Sequence, residues 1–220
     1  MTTSFSQHDG PVLFSPSAPR SIEMAAEMLR DGGVVAIPTD TEYGVAGSLA
    51  HTDALDRIFA LKQRDPGKPL PILVSSTDAL VHLVPNLDPD VALLLDEYWP
   101  GPLTVAVPAD SKLPRHVLAE DGTIGARQPN HRLAIELIER AGGAVACTSA
   151  NLSGLDPATT ANDVVTALGS KIDAVVDGGV SPGGVPSTVI GFAGGGIVVH
   201  REGAIAADHV IATWQRLTSG

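Results

Sequence analysis

The feature that most constrains this chain is an alternation. Short apolar runs, each cut off by Pro, Gly or hydroxyl residues, are separated by segments whose apolar residues recur at helical spacing. Val34-Val35-Ala36-Ile37, ended by Pro38, is the clearest run. A run this short that is apolar at every position suits a strand covered on both faces, because a strand with one wet face would alternate. Residues 70–74 and 144–147 read the same way, and 11–14, 103–107, 123–127, 173–177, 188–192 and 197–201 are further strand candidates.

Helices fall between them. Ile22, Ala25, Ala26 and Leu29 share one face, and Gly32-Gly33 supplies the stop. Thr52 is expected to cap a helix carrying Leu55, Ile58 and Phe59, which runs into Lys62-Gln63-Arg64 until Pro66-Gly67 breaks it. Residues 77–98 read as two helices parted near Pro85. Ala134, Leu137, Ile138 and Ala141 mark another, stopped by Gly142-Gly143, and two more are expected near 161–170 and 207–217. A turn as tight as Phe192-Ala193-Gly194-Gly195-Gly196 joins strands that pair antiparallel, so the sheet should be mixed. With no internal repeat or linker-like stretch, the expectation is α/β: one twisted mixed sheet flanked by helices, over 11–220, behind a flexible segment at 1–10.

Composition narrows the function. Aromatic residues make up 4% of the 220-residue chain, so its core must be aliphatic and base stacking is a poor candidate for its main binding device. Acidic residues outnumber basic ones 25 to 14, which argues against nonspecific adhesion to nucleic acid or anionic lipid and confines any anion site to a local patch. The single cysteine, Cys147, excludes a disulfide framework within the chain and a multi-cysteine zinc site. The start, MTTSFSQHDG, lacks the order of a signal peptide, and no apolar run reaches membrane-spanning length. A soluble, unprocessed, cytoplasmic protein is expected.

In open α/β sheets ligands sit beyond strand ends, and the polar residues there form a consistent set. Thr39 and Thr41 follow one run, Arg127 ends another, Ser149 and Asn151 follow a third, and Arg201 ends the last. Hydroxyls, an amide and guanidiniums suit a ligand that carries phosphate and carboxylate groups. Each also has a plain structural reading: Thr41 as a turn cap, Ser149 and Asn151 as a loop, Arg127 as a surface ion pair. Lys62, Arg64 and Lys68 fit either a solvated helix C-terminus, favoured by its dipole, or an anion site. Gly67-Lys68 is followed by Pro69, so no P-loop is present, and neither a dinucleotide fingerprint nor a nucleophile elbow occurs. Cys147 inside an apolar run is expected to be core, and Asp177 before Gly178-Gly179 to start a turn rather than bind a metal.

Taken in order, Pro38-Thr39-Asp40-Thr41-Glu42-Tyr43-Gly44, Lys62-Gln63-Arg64, Trp99-Pro100-Gly101-Pro102-Leu103-Thr104, Thr123-Ile124-Gly125-Ala126-Arg127, Ser149-Ala150-Asn151-Leu152-Ser153-Gly154, Pro186-Ser187-Thr188-Val189 and His200-Arg201-Glu202-Gly203-Ala204-Ile205 resemble the YrdC family, the threonylcarbamoyl-AMP synthases. Each motif is weak alone, and together, from about residue 20 to 205, they are specific. The resemblance implies a YrdC-like domain with a concave, positively charged cavity. It implies synthesis of L-threonylcarbamoyladenylate and pyrophosphate from L-threonine, bicarbonate or CO2, and ATP. The product would pass to a separate tRNA threonylcarbamoyltransferase for N6-threonylcarbamoyladenosine at position 37, with weak or no tRNA binding by this chain and no membrane partner. Mg²⁺ would enter through ATP rather than on protein ligands.

Carried over by motif, Thr41, Arg127 and Ser187 fall to threonine, with Arg127 on its carboxylate. Arg64, Lys68, Thr123, Ser149, Asn151 and Arg201 fall to ATP, while Lys62, Arg64 and Arg127 stabilise charge and no acid or base is assigned. Three positions depart from the family pattern: Leu73 where many members carry a histidine, Pro157 in place of a polar residue, and the loop Asp65-Pro66-Gly67-Lys68. The chain stops soon after the Arg201 motif, so a short, single-domain form is expected. Two rival readings are an RNA-binding member that uses the concave surface, and a paralogue that binds nucleotide but takes another acyl or carbamoyl substrate.

Overall fold

A computed structural model describes residues 10–65, 67–152 and 156–219. Residues 1–9 of the expected N-terminal segment, Pro66, and Ser153-Gly154 of the Ser149 motif lie outside the described residues. In chain order the elements are β1 (Val12–Phe14), α1 (Ser21–Arg30), β2 (Val35–Ile37), β3 (Gly44–Ser48), α2 (Thr52–Lys62), β4 (Ile72–Val74), α3 (Thr77–Val81), α4 (Pro89–Tyr98), β5 (Leu103–Pro108), β6 (Thr123–Arg127), α5 (Arg132–Arg140), β7 (Ala144–Ser149), α6 (Ala161–Leu168), β8 (Ala174–Val176), β9 (Thr188–Ala193), β10 (Gly196–Arg201) and α7 (Ala207–Thr218).

Among the described residues ten strands join one mixed sheet in the order β1-β8-β2-β3-β7-β4-β6-β5-β9-β10. Parallel pairs (β1/β8, β2/β8, β4/β6, β5/β9) are interleaved with antiparallel ones. The antiparallel hairpin β9/β10 turns through Gly194 and Gly195, both at positive φ, as a tight two-residue turn requires. Helices cover both faces. On one, Ile22, Ala25 and Leu29 of α1 and Leu137 and Ile138 of α5 pack on Val35, Ile37, Val145 and Cys147. On the other, Leu55 and Ile58 of α2 pack with Ala36, Val45 and Ala146. Successive residues of β2 therefore point into opposite cores, which is why its run is apolar throughout.

The main departure from expectation is β3, which sits between β2 and β7 in a stretch that the apolar pattern leaves as loop. Two glycines weaken its strand signal, and packing demands them. A Cβ on Gly44 would lie 2.4 Å from the Cys147 sulfur, and one on Gly47 would lie 3.0 Å from Ile58 Cδ1. Thr52 is the first helical residue of α2, not its cap; His51 holds that place without a side-chain capping bond. The strand expected from residue 70 begins at Ile72, where the chain leaves two prolines, Pro69 and Pro71, that cannot donate to a ladder. β7 runs on through Thr148 and Ser149, so Ser149 is a strand residue rather than the first residue of a loop.

Candidate functional site

The β2–β3 turn opens onto a cavity of about 360 Å³, walled by Thr41, Glu42, Leu73, Thr104, Arg127, Cys147, Ser149, Ser187 and Arg201, with Arg64 from the segment after α2. Three arginines and one carboxylate thus face one concave space. Thr39 organises the turn: its hydroxyl accepts from the amides of Thr41 (3.1 Å) and Glu42 (3.2 Å) and donates to the Glu42 carbonyl at 2.6 Å. Such a hydroxyl clasp fixes the backbone locally and aims the residues it encloses.

Thr41 is aimed at Arg127. The guanidinium, 6% exposed, donates through Nη1 to Thr41 Oγ1 (3.1 Å), through Nε to the Gly101 carbonyl (3.1 Å), and forms an ion pair through Nη2 with Asp40. The surface-pair reading of Arg127 therefore fails, since the guanidinium is buried, its Asp40 partner is half-buried, and a turn organises the pair. Ser187 lies near a second guanidinium. Its hydroxyl is 2.8 Å from that of Thr104, and Arg201 donates through Nη2 to its carbonyl (2.8 Å) and hydroxyl (3.2 Å).

Lys62 is not a solvated cap. It is 4% exposed, and Nζ donates to the Ser149 carbonyl (2.7 Å), the Ser149 hydroxyl (3.1 Å) and Asn151 Oδ1. Burial first, and then the charge of Arg64, lowers its pKa to about 8, against the opposing pull of Glu42. Lys62 and Asn151 stand behind the wall and hold Ser149 in it. Arg64 donates to the carbonyls of Lys68 (2.7 Å) and Pro69 (2.8 Å), so the loop is latched by the same side chain that faces the cavity. Three expected ATP contacts are not brought to the wall: Asn151 stands behind it, the Lys68 side chain is exposed, and Thr123 donates its hydroxyl to Asp121 at 2.7 Å.

Burial pushes the Cys147 thiol up to about 12, so it stays protonated and neutral, as its core position implies. Asp177 accepts from the Gly179 amide at 3.0 Å and caps a turn against which the Tyr43 hydroxyl bonds, donating to the Gly179 carbonyl at 2.8 Å. Glu42 is the residue that sequence reading passed over. It lies inside a motif already singled out, and the signal was a second acid beside Asp40 in a turn whose other side chains are hydroxylic or apolar. Burial raises its pKa, opposed by Lys62, Arg127 and Arg201.

The fold and the wall define a class: a mixed α/β sheet protein that gathers guanidiniums and hydroxyls around one cavity. The Sua5/YciO/YrdC family model, described as telomere recombination, matches residues 27–203, and the chain belongs to that family. It is 34% identical over 189 residues to a threonylcarbamoyl-AMP synthase of Pyrococcus abyssi and 37% over 193 residues to one of Bacillus subtilis, covering 86% and 87% of this chain. It spans 56% of the length of either relative. The crystal structure of P. abyssi Sua5 complexed with L-threonine superposes with a TM-score of 0.85 at 32% identity, over 92% of this chain and 60% of that one.

Proposed function

We propose that the chain is an L-threonylcarbamoyladenylate synthase, joining L-threonine, bicarbonate and ATP with release of pyrophosphate. The observation that carries this reading is the placement of a buried Arg127–Thr41 clamp and of Arg64 and Arg201 around one cavity. Its relationship to proteins named threonylcarbamoyl-AMP synthase supports the same reaction.

All three reactants are anionic or become so, and the residues divide the task. Arg127 and Thr41 receive the amino acid, with Ser187 beside them. Arg64 and Arg201 face the triphosphate, and Lys62 holds Ser149 and Asn151 in place. Carbamate oxygen and α-phosphorus are then brought together by positioning and charge neutralisation, without a covalent enzyme intermediate. Mg²⁺ is proposed to enter with ATP, bound to its phosphate oxygens. When bound there it would neutralise part of their charge. The product is proposed to go to a separate tRNA-modifying transferase.

The test is pyrophosphate release from ATP and bicarbonate with each amino acid in turn, with the adenylate identified by mass. Release that depends on threonine is the expected result. Release without any amino acid, or equally with all of them, would defeat the proposal.

A further inference from the structure

The carbamate step leaves a proton to be accounted for. An amino acid arrives as an ammonium, which has no lone pair to offer carbon, so a base must take a proton before the new bond forms. Among the described residues the cavity wall carries a single carboxylate, Glu42. Both its backbone amide and its carbonyl are tied to Thr39 Oγ1, which fixes where its side chain departs. Among the described residues its carboxylate makes no hydrogen bond or ion pair, whereas the neighbouring Asp40 is committed to Arg127. The charged and titratable groups around it are Lys62 from α2, Arg127 from β6, Arg201 from β10 and the protonated Cys147 from β7, with Asp40 in its own turn.

We propose that Glu42 is a further catalytic residue, binding the α-ammonium of the amino acid and taking its proton as that nitrogen becomes a carbamate. This rests on the synthase reading above. An N–H bond of the ammonium breaks, its electron pair stays on nitrogen, and the proton moves to the Glu42 carboxylate. The amine then forms the C–N bond to bicarbonate carbon. The bicarbonate hydroxyl leaves with a second nitrogen proton as water, and Glu42 later returns its proton to solvent. The raised pKa of this half-buried carboxyl suits the role, since a base works best when its pKa approaches the working pH.

The same placement explains selection. Arg127 takes the carboxylate and Glu42 the ammonium, two opposite charges within one wall, which is what recognises an α-amino acid as a zwitterion. Burial raises the basicity of Glu42, and the nearby cations Lys62, Arg127 and Arg201 limit how far it rises.

The experiment compares wild type, Glu42→Gln and Glu42→Asp, with folding checked by thermal melting. The readouts are threonine-dependent pyrophosphate release across pH, and equilibrium binding of L-threonine and of its analogue with a hydroxyl in place of the α-amine. Glu42→Gln should lower kcat/KM for threonine about 100-fold, the usual reach of a general base, and remove the acidic limb of the pH profile. It should also abolish the preference for threonine over the hydroxy analogue. Glu42→Asp should recover part of both. If folded Glu42→Gln keeps the acidic limb and the preference for the amine, Glu42 is not the base. If wild-type protein releases no pyrophosphate with threonine, the synthase reading itself fails and this proposal falls with it, a result separate from any behaviour of the variants.

Discussion

The two ends of the cavity are built differently. At the end proposed for the amino acid, Arg127 is buried and its guanidinium is already committed to Asp40, Thr41 and Gly101. At the end proposed for the nucleotide, Arg64 and Arg201 bond chiefly to the backbone carbonyls of Lys68, Pro69 and Ser187, and lie nearer solvent. The first end is part of the fold; the second is lent to it. A rigid clamp can tell one small amino acid from another, whereas a flexible triphosphate is better met by cations that can change partners.

This contrast can be broken by mutation. Arg127→Ala should have the largest effect, because it removes the clamp and leaves the half-buried Asp40 carboxylate without its partner. We expect threonine-dependent activity to fall below detection and stability to drop by about 3–5 kcal/mol in urea unfolding. A stable Arg127→Ala would mean that the two ends do not differ as described. Arg64→Ala and Arg201→Ala should raise the KM for ATP about 10- to 100-fold, as expected where a charge contact of about 1.5–3 kcal/mol is lost, while leaving the unfolding midpoint nearly unchanged.

Lys62 sharpens the comparison through pH. Its folded pKa of about 8 lies below the ordinary 10.5, so between those values the unfolded chain binds more protons and its share of stability rises with pH. Anion binding runs the other way. Nucleotide affinity should weaken as pH passes about 8, and Lys62→Met should flatten that limb in a titration with a non-hydrolysable ATP analogue. The smallest effect belongs to Cys147→Ala. With its thiol held protonated, activity should match wild type while the lost packing costs about 1 kcal/mol by chemical denaturation.

Much of this arrangement was legible beforehand, for reasons that differ by region. β2 announces itself because both its faces are buried and every residue is apolar. β3 is silent because close contact with Cys147 and α2 requires glycine, which carries no strand signal. At the site, Thr41, Arg127, Ser149 and Arg201 fall at strand ends or in the turns beside them, where polar residues interrupt apolar runs; Ser187 is legible only through the family resemblance, and all five line the cavity. Lys62 was placed near the ligand but turns out to buttress Ser149, a distinction that only burial reveals. Glu42 was overlooked because an acid in a turn has an ordinary explanation until its neighbours are known, and only the structure shows that Asp40 is paired with Arg127 while Glu42 faces the cavity. Lys68 and Thr123 belong to the right segments with side chains directed elsewhere, since strand and loop positions alone do not fix a rotamer.

The measurement that bears most directly on the two-ended site is equilibrium binding of L-threonine and of a non-hydrolysable ATP analogue, titrated separately into wild type, Arg127→Lys and Arg64→Ala. Lysine keeps a charge beside Asp40 so that the fold survives, but it cannot reproduce the three-way guanidinium contact. The account predicts that Arg127→Lys loses threonine affinity and keeps nucleotide affinity, and that Arg64→Ala does the reverse. If both variants lose the same ligand, or each loses both equally, the division of the cavity is wrong.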